Sequence, residues 1–224
     1  MFNIKGVNSM KNDNKPKAKE VMWLFTIGCI LGFILETLWY FVKNGIWINK
    51  QGLLYGPFKP IYGTGLVLIV FLMYNFKNKN IFCKFGLGVI LGSLFEYFCS
   101  LFQEFALGTS TWNYSTFKYN ISGRIYLPYS IAWGLITLVC TQYLYPCFKK
   151  LYLKIPAELS KILTIILTVF MSFNIIITTL ATYRYSDRAT NKDTNSYVFK
   201  TIDKLYPDAY MQDKFPKMQI LEKQ

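Results

Sequence analysis

Five apolar stretches, each bordered by charge, constrain this chain more than any other feature: residues 21–42, 61–76, 85–102, 125–148 and 159–182. A helix needs about 20 mostly apolar residues to cross a bilayer. Inside the bilayer every backbone polar group must find its partner within the protein, so spanning segments of this kind are helices. The pattern predicts an all-α integral membrane protein with about five transmembrane helices. The second stretch is the shortest and reaches across only if residues 55–58 also enter the bilayer. On this reading residues 1–20 are a cytoplasmic tail, residues 21–182 a helix bundle, and residues 183–224 a polar C-terminal tail.

Charge supports the same class. The chain carries 25 Lys and Arg against 12 Asp and Glu, a net +13, with no histidine. A basic chain invites a nucleic-acid reading. Here the cations flank the apolar stretches, which suits the anionic headgroups of a lipid bilayer and not a nucleic acid. Residues 1–20 are polar and lysine-rich, and the apolar run after them is longer than a signal-peptide core, so the first span is expected to be uncleaved. Counting Lys and Arg by loop gives orientation. Segments 1–20, 77–84 and 149–161 carry 5, 3 and 4; segments 43–59 and 103–124 carry 3 and 2. Twelve against five places the N-terminus in the cytoplasm of a multi-pass cell-membrane protein. Five spans then put the tail, with 8 more cations, outside.

The chain also contains a repeat. Gly28-Cys-Ile-Leu-Gly32-Phe-Ile-Leu-Glu36 recurs as Gly88-Val-Ile-Leu-Gly92-Ser-Leu-Phe-Glu96, identical at five of nine positions. Downstream, the twelve residues from Gly52 to Gly63 align without gaps to the twelve from Gly123 to Gly134, matching Tyr55 to Tyr126, Pro57 to Pro128 and Tyr62 to Trp133. The offset is 60 in the first block and 71 in the second, so the second unit has a loop 11 residues longer. Two two-helix units, about 21–76 and 85–148, would enter the membrane from the same side as a parallel repeat, with the fifth span (159–182) outside it.

Glycines 28 and 32, and 88 and 92, share one helix face with Glu36 and Glu96 respectively. Small residues four apart let helices approach closely in lipid, so each Glu is expected on a packing face. Glu36 lies about 22 Å along its span at 1.5 Å per residue, in the outer half. Ionisable groups inside a membrane are functional candidates. The functional reading is a pair of pseudo-symmetric carboxylates around a central cavity, sharing a polar cluster with Arg124. The alternative, that each Glu caps a loop or pairs with Arg124 or Lys50 to lock the fold, stays open. The loop 103–123 is the chemically richest stretch, with Glu104, Trp112, Asn113, Tyr114 and Asn120 ahead of Arg124. It reads either as an interfacial aromatic belt or as a lid folded back into the bundle. Pro57, Pro60 and Pro128 sit where helices begin. In the tail, Val198, Phe199, Ile202, Leu205 and Tyr206 form one stripe of a short amphipathic helix, expected on the membrane surface or against the bundle's own loops.

No phosphate loop, no nucleophile elbow and no His-Glu-x-x-His motif is present. The five cysteines include no Cys-x-x-Cys pair, and without histidine a Cys/His zinc site has no ligands. Neither cofactor nor metal is expected. No constellation names a reaction, which argues against an enzyme.

The run Gly56-Pro57-Phe-Lys-Pro60-Ile-Tyr62-Gly63, the Leu35-Glu36 pair, and Trp112-Asn113-Tyr114-Ser followed by Asn120-Ile-Ser-Gly-Arg124 resemble one family. It is the CmpB-like family of bacterial ABC-transporter permeases, type IV, and the resemblance covers roughly residues 20–185. It implies a small polytopic membrane protein of transport type. The family pattern has Arg before the glycine at position 52 and Asp at position 113; here Gln51 and Asn113 stand there. An ion pair built on those two charges is not available to this chain, and Lys50 is the candidate substitute. The leading expectation is therefore a permease-type component with an intramembrane polar site, whose partner would be a separate ATP-binding subunit. Two rivals remain: a non-transporting membrane interaction or scaffold protein, and a membrane-embedded enzyme that uses Glu36 or Glu96 on lipid.

Overall fold

The computed structural model describes residues 15–191 and 194–221; most of the N-terminal tail lies outside the described residues. Helix α1 spans Ala18–Asn44, α2 Pro60–Asn75 and α3 Ile81–Phe102. Helix α4, Leu127–Val139, runs on through a wide π turn at Cys140–Leu144 into α5, Tyr145–Tyr152. The turn precedes Pro146, which has no N–H to donate back along the helix, so the ladder slips by one residue there. Helix α6 is the longest, Ala157–Ala189, and α7, Tyr197–Leu205, and α8, Asp208–Lys214, follow in the tail. Four helical segments are long and apolar enough to cross a membrane: 18–44, 81–107, 127–152 and 157–189. Helix α2 is a shorter apolar helix of 16 residues, about 24 Å long. The fold is an all-α membrane bundle.

The two helix pairs pack alike, residue for residue. A side chain on Gly28 would meet Gly63 Cα at 2.8 Å, and one on Gly88 would meet Gly134 Cα at 3.1 Å. One turn on, a Cβ on Gly32 would stand 2.5 Å from Cδ2 of Tyr62, and one on Gly92 2.7 Å from Cδ2 of Trp133. These are the partners that the 60- and 71-residue offsets equate. The glycines thus admit an aromatic ring into each helix pair, as small-residue faces do in lipid.

Alternating chain direction gives the bundle a near end, where α1, α3 and α6 begin, and a far end, which holds the long loops and the tail. At the near end Lys149 Nζ donates to both oxygens of buried Glu20 at 2.9 and 2.8 Å. Trp23 bonds Thr164 beside it at 2.9 Å.

At the far end the segment before α2 folds back against α6. Gly56, at φ +79°, makes the reversal that residues with a side chain rarely adopt. The buried, irregular backbone is satisfied by two polar side chains of α6. Leu54 N–H donates to Thr178 Oγ1 at 3.0 Å and Tyr55 N–H to Asn174 Oδ1 at 3.2 Å. Asn174 Nδ2 returns a bond to Tyr55 O at 2.6 Å. Such backbone is tolerated at membrane depth only with partners of this kind.

Among the tail's apolar stripe, Ile202 and Tyr206 are buried against Leu54, Ala181 and Tyr185, while Val198 and Leu205 stay exposed. The tail is held by Asp203, which accepts from Arg184 and Arg188, by the Tyr55–Tyr206 hydroxyl pair at 2.7 Å, and by a two-residue strand pairing. That pairing joins β1, Thr109–Ser110, to β4, Gln219–Ile220; within the long loop, β2, Asn120–Ile121, pairs with β3, Ile125–Tyr126.

Candidate functional site: the two carboxylates and the far-end cavity

Glu36 and Glu96 stand one turn beyond Gly32 and Gly92, and each meets the aromatic ring that its glycine admits. The Tyr62 hydroxyl lies within reach of the Glu36 charge, and Trp133 Nε1 donates to Glu96 Oε2 at 3.3 Å. The two rings stack on each other, centroids 6.4 Å apart and planes inclined 28°. The order across the bundle is therefore Glu36, Tyr62, Trp133, Glu96.

Beyond that symmetry the two carboxylates differ. Glu36 pairs with Lys59 and lies 3.9 Å from Lys50 Nζ. Glu96 is 6% exposed, has no cation in contact among the described residues, and accepts from Tyr114 Oη at 3.1 Å. The repeat explains the difference. Lys59 aligns with Ser130, which accepts from Ser93 at 2.7 Å instead of facing a carboxylate. Tyr114 comes from the loop that is 11 residues longer in the second unit. Burial and the neighbouring Glu96 charge raise the Tyr114 hydroxyl well above the ordinary tyrosine range, so it stays a donor. Burial pulls the Lys50 ammonium below the ordinary lysine value, against the opposing pull of Glu36.

Arg124 corrects the expectation of a shared cluster. It pairs with Glu104 and donates to Ser100 Oγ at 3.2 Å, and touches neither repeat carboxylate. The π turn Gln103–Leu107, ended by Gly108 at φ +63°, carries Glu104 round to the loop. Arg124 thus closes its own loop, and its carbonyl accepts from Trp112 Nε1 at 3.1 Å. Asn113 accepts from Ser115 N–H at 2.9 Å, and Asn120 accepts from Gly123 N–H at 2.8 Å. Of the candidate loop residues only Tyr114 reaches a repeat carboxylate. Pro57 is exposed beside the Gly56 turn, and Pro60 opens α2.

A cavity of about 480 Å³ opens at the far end between α2, α3, α6 and the tail. Glu36, Lys50 and Lys59 line it, with Lys217, Gln103 and Trp112. Glu96 does not. Two further pockets, about 220 and 210 Å³, are lined almost wholly by apolar side chains.

Sequence reasoning passed over Lys59 as a mere flank, although it stands inside the Gly-Pro-Phe-Lys-Pro run, opposite a serine in the repeat. Asn174 was legible as an amide in the middle of an apolar span, where polar side chains join helices. Lys217 carried no signal, because its place depends on the tail's pairing with the long loop.

A family model described as "Putative ABC-transporter type IV" matches residues 23–179, from α1 into α6. Neither a curated protein nor a solved structure matches the chain. With more than half of its length matched, the chain belongs to this ABC-transporter type IV family, as a multi-pass membrane protein of transporter type.

Proposed function

We propose that the chain is a permease-type component whose polar site is the far-end cavity, with Glu36, Lys50 and Lys59 as its charged floor. One observation carries the reading: a paired charge cluster faces an open cavity at the far end of the bundle. Holding charges at such depth is costly, and a merely structural pair is better sealed, as Glu20 and Lys149 are. At the near end Glu20 is clasped by Lys149, which supports a pathway that opens toward the far end. The chain has no phosphate loop, so an ATP-driven cycle needs a separate ATP-binding subunit. The N-terminus is cytoplasmic on this reading, and the cavity faces outward.

Cys99 lines the cavity and supplies the test. In a Cys83→Ser, Cys147→Ser variant, the remaining cysteines outside the cavity are buried. A small membrane-impermeant thiol reagent should label Cys99 from outside in resting cells. Labelling should shift to the cytoplasmic side of inverted vesicles when the transport cycle runs. Cys99 shielded from both sides under all conditions would sink the transport reading and favour a scaffold.

A further inference from the structure

We infer that the far-end cavity takes an anionic amphiphile, its acidic head among Lys50, Lys59 and Lys217 and its apolar part along the aromatic wall of α3. The inference rests on the reading of this cavity as the functional site, and it names the class of ligand.

The first argument is charge. Three lysines line the cavity against one carboxylate, Glu36. Lys50 and Lys59 share that carboxylate. Lys217 has no ion pair among the described residues, and it faces the same Tyr40 ring as Lys50, at 5.4 and 4.5 Å from the centroid. Two unbalanced positive charges thus converge on one space, Lys50 and Lys59 largely out of water and Lys217 exposed at its rim. Lys50 has only 13% of its side chain exposed. Like charges gathered away from water repel, and an anion among them relieves both the repulsion and the lost hydration. Ammonium groups are point charges without the planar fork of arginine, so they accept a phosphate or a carboxylate alike.

The second argument is the wall. Phe95, Phe98 and Phe102 follow one face of α3 along the cavity. Phe98 and Phe102 are also 63% and 58% exposed, so the cavity is continuous with the bilayer-facing surface of α3. A small hydrophilic anion has no use for that wall. A molecule with an acidic head and an apolar tail fills both parts, and can arrive sideways from the membrane. The volume lies within the roughly 300–1,000 Å³ usual for small-ligand sites. The roof is the tail segment with Phe215, Lys217 and Met218, held over the cavity by the β1–β4 pairing.

The probe is Cys99 labelling in the Cys83→Ser, Cys147→Ser variant, purified in neutral detergent. Phosphatidylglycerol should protect Cys99; phosphatidylcholine and inorganic phosphate at equal concentration should not. Lys217→Glu, at an exposed tail position, should raise the phosphatidylglycerol concentration for half protection by about tenfold or more, from the reversal of one nearby charge. Lys214→Glu, on the same tail but away from the cavity, should leave it within about twofold. Equal protection by phosphatidylcholine would overturn the acidic head, and equal protection by inorganic phosphate the apolar part. An unchanged Lys217→Glu would overturn the site itself. Protection that survives while Cys99 never changes sides would leave lipid binding standing and remove transport.

Discussion

Gly92→Ala should destabilise the bundle out of proportion to one methyl group. The new Cβ would press on Cγ and Cβ at the root of the Trp133 side chain and would lie 2.7 Å from its Cδ2, where ordinary contact begins near 3.4 Å. The ring must therefore retreat by at least 0.7 Å (3.4 − 2.7). It has nowhere easy to go. Trp133 is 8% exposed, stacks on Tyr62, and meets Phe95 edge-on at 6.1 Å. The backbones cannot part either, since Gly88 and Gly134 already hold them together one turn away. The 3.3 Å bond from Nε1 to Glu96 is at the long end of useful geometry and would be lost. Overpacking costs about 1–3 kcal/mol, and a hydrogen bond to a charged group about 1.5–3. The sum is about 2.5–6 kcal/mol, measurable as a shift in denaturation in mixed micelles followed by tryptophan fluorescence. Gly32→Ala, facing Tyr62 in the other pair, should behave comparably. Gly86→Ala, whose Cβ meets nothing within 4 Å, should be near neutral. A Gly92→Ala protein within about 0.5 kcal/mol of the parent would refute the packing argument.

Four further outcomes follow from other contacts of the fold. Asn174→Leu strips the partners from Tyr55 N–H and C=O, and at about 0.6–1.7 kcal/mol per bond in a membrane protein should cost about 1–3 kcal/mol; faster proteolysis of the loop before α2 reads it. Glu96→Gln turns an acceptor of two donors into a group with one N–H₂ facing a donor. It should lose about 1–3 kcal/mol while Cys99 labelling stays as it was, whereas Glu36→Gln, which leaves Lys50 and Lys59 without their carboxylate, should lower stability and tighten anion binding. Burial alone would raise Asp203, but bonds from Arg184 and Arg188 outweigh it and hold its carboxyl below the ordinary aspartate value. Its contribution is present above the ordinary range and is lost as pH falls through the lower folded value. Hydrogen exchange in α7, corrected for intrinsic rate, should therefore hold steady down to about pH 4 and rise below it; a rise already at pH 6 contradicts the assignment.

How far the sequence could be read depended on whether a feature was local or crossed the fold. The spans were legible because the bilayer imposes a length and an apolar composition on each helix separately. The glycine faces were legible because two copies of one spacing appear in order. Arg124 was misread because symmetry fixes where equivalent residues lie, not which neighbour neutralises each. Glu104 is 20 positions from Arg124, and only the π turn brings it round. The tail's place over the cavity rests on a two-residue strand pairing between positions 109–110 and 219–220. No periodicity announces a pairing so short.

The asymmetry between the two carboxylates is the most instructive result of the repeat. Both units keep the same frame: two glycines, a Glu one turn on, and an aromatic ring across from it. A buried carboxylate needs donors, and each unit solves that differently. The second unit has serine at the position of Lys59 and brings Tyr114 from its longer loop, so Glu96 is satisfied by neutral donors and sealed. The first unit has the short loop and no residue equivalent to Tyr114. Its Glu36 is instead satisfied by two lysines, which leaves positive charge in excess and the space that a longer loop would fill open. The open cavity goes with the shorter loop, and the lysine at position 59 compensates for the loop donor that the first unit lacks. If so, a loop graft that gives the first unit the residues around Tyr114 should close the cavity and remove the need for Lys59 together. A graft that fills the space while Glu36 still requires its lysines would show that charge and volume are set independently.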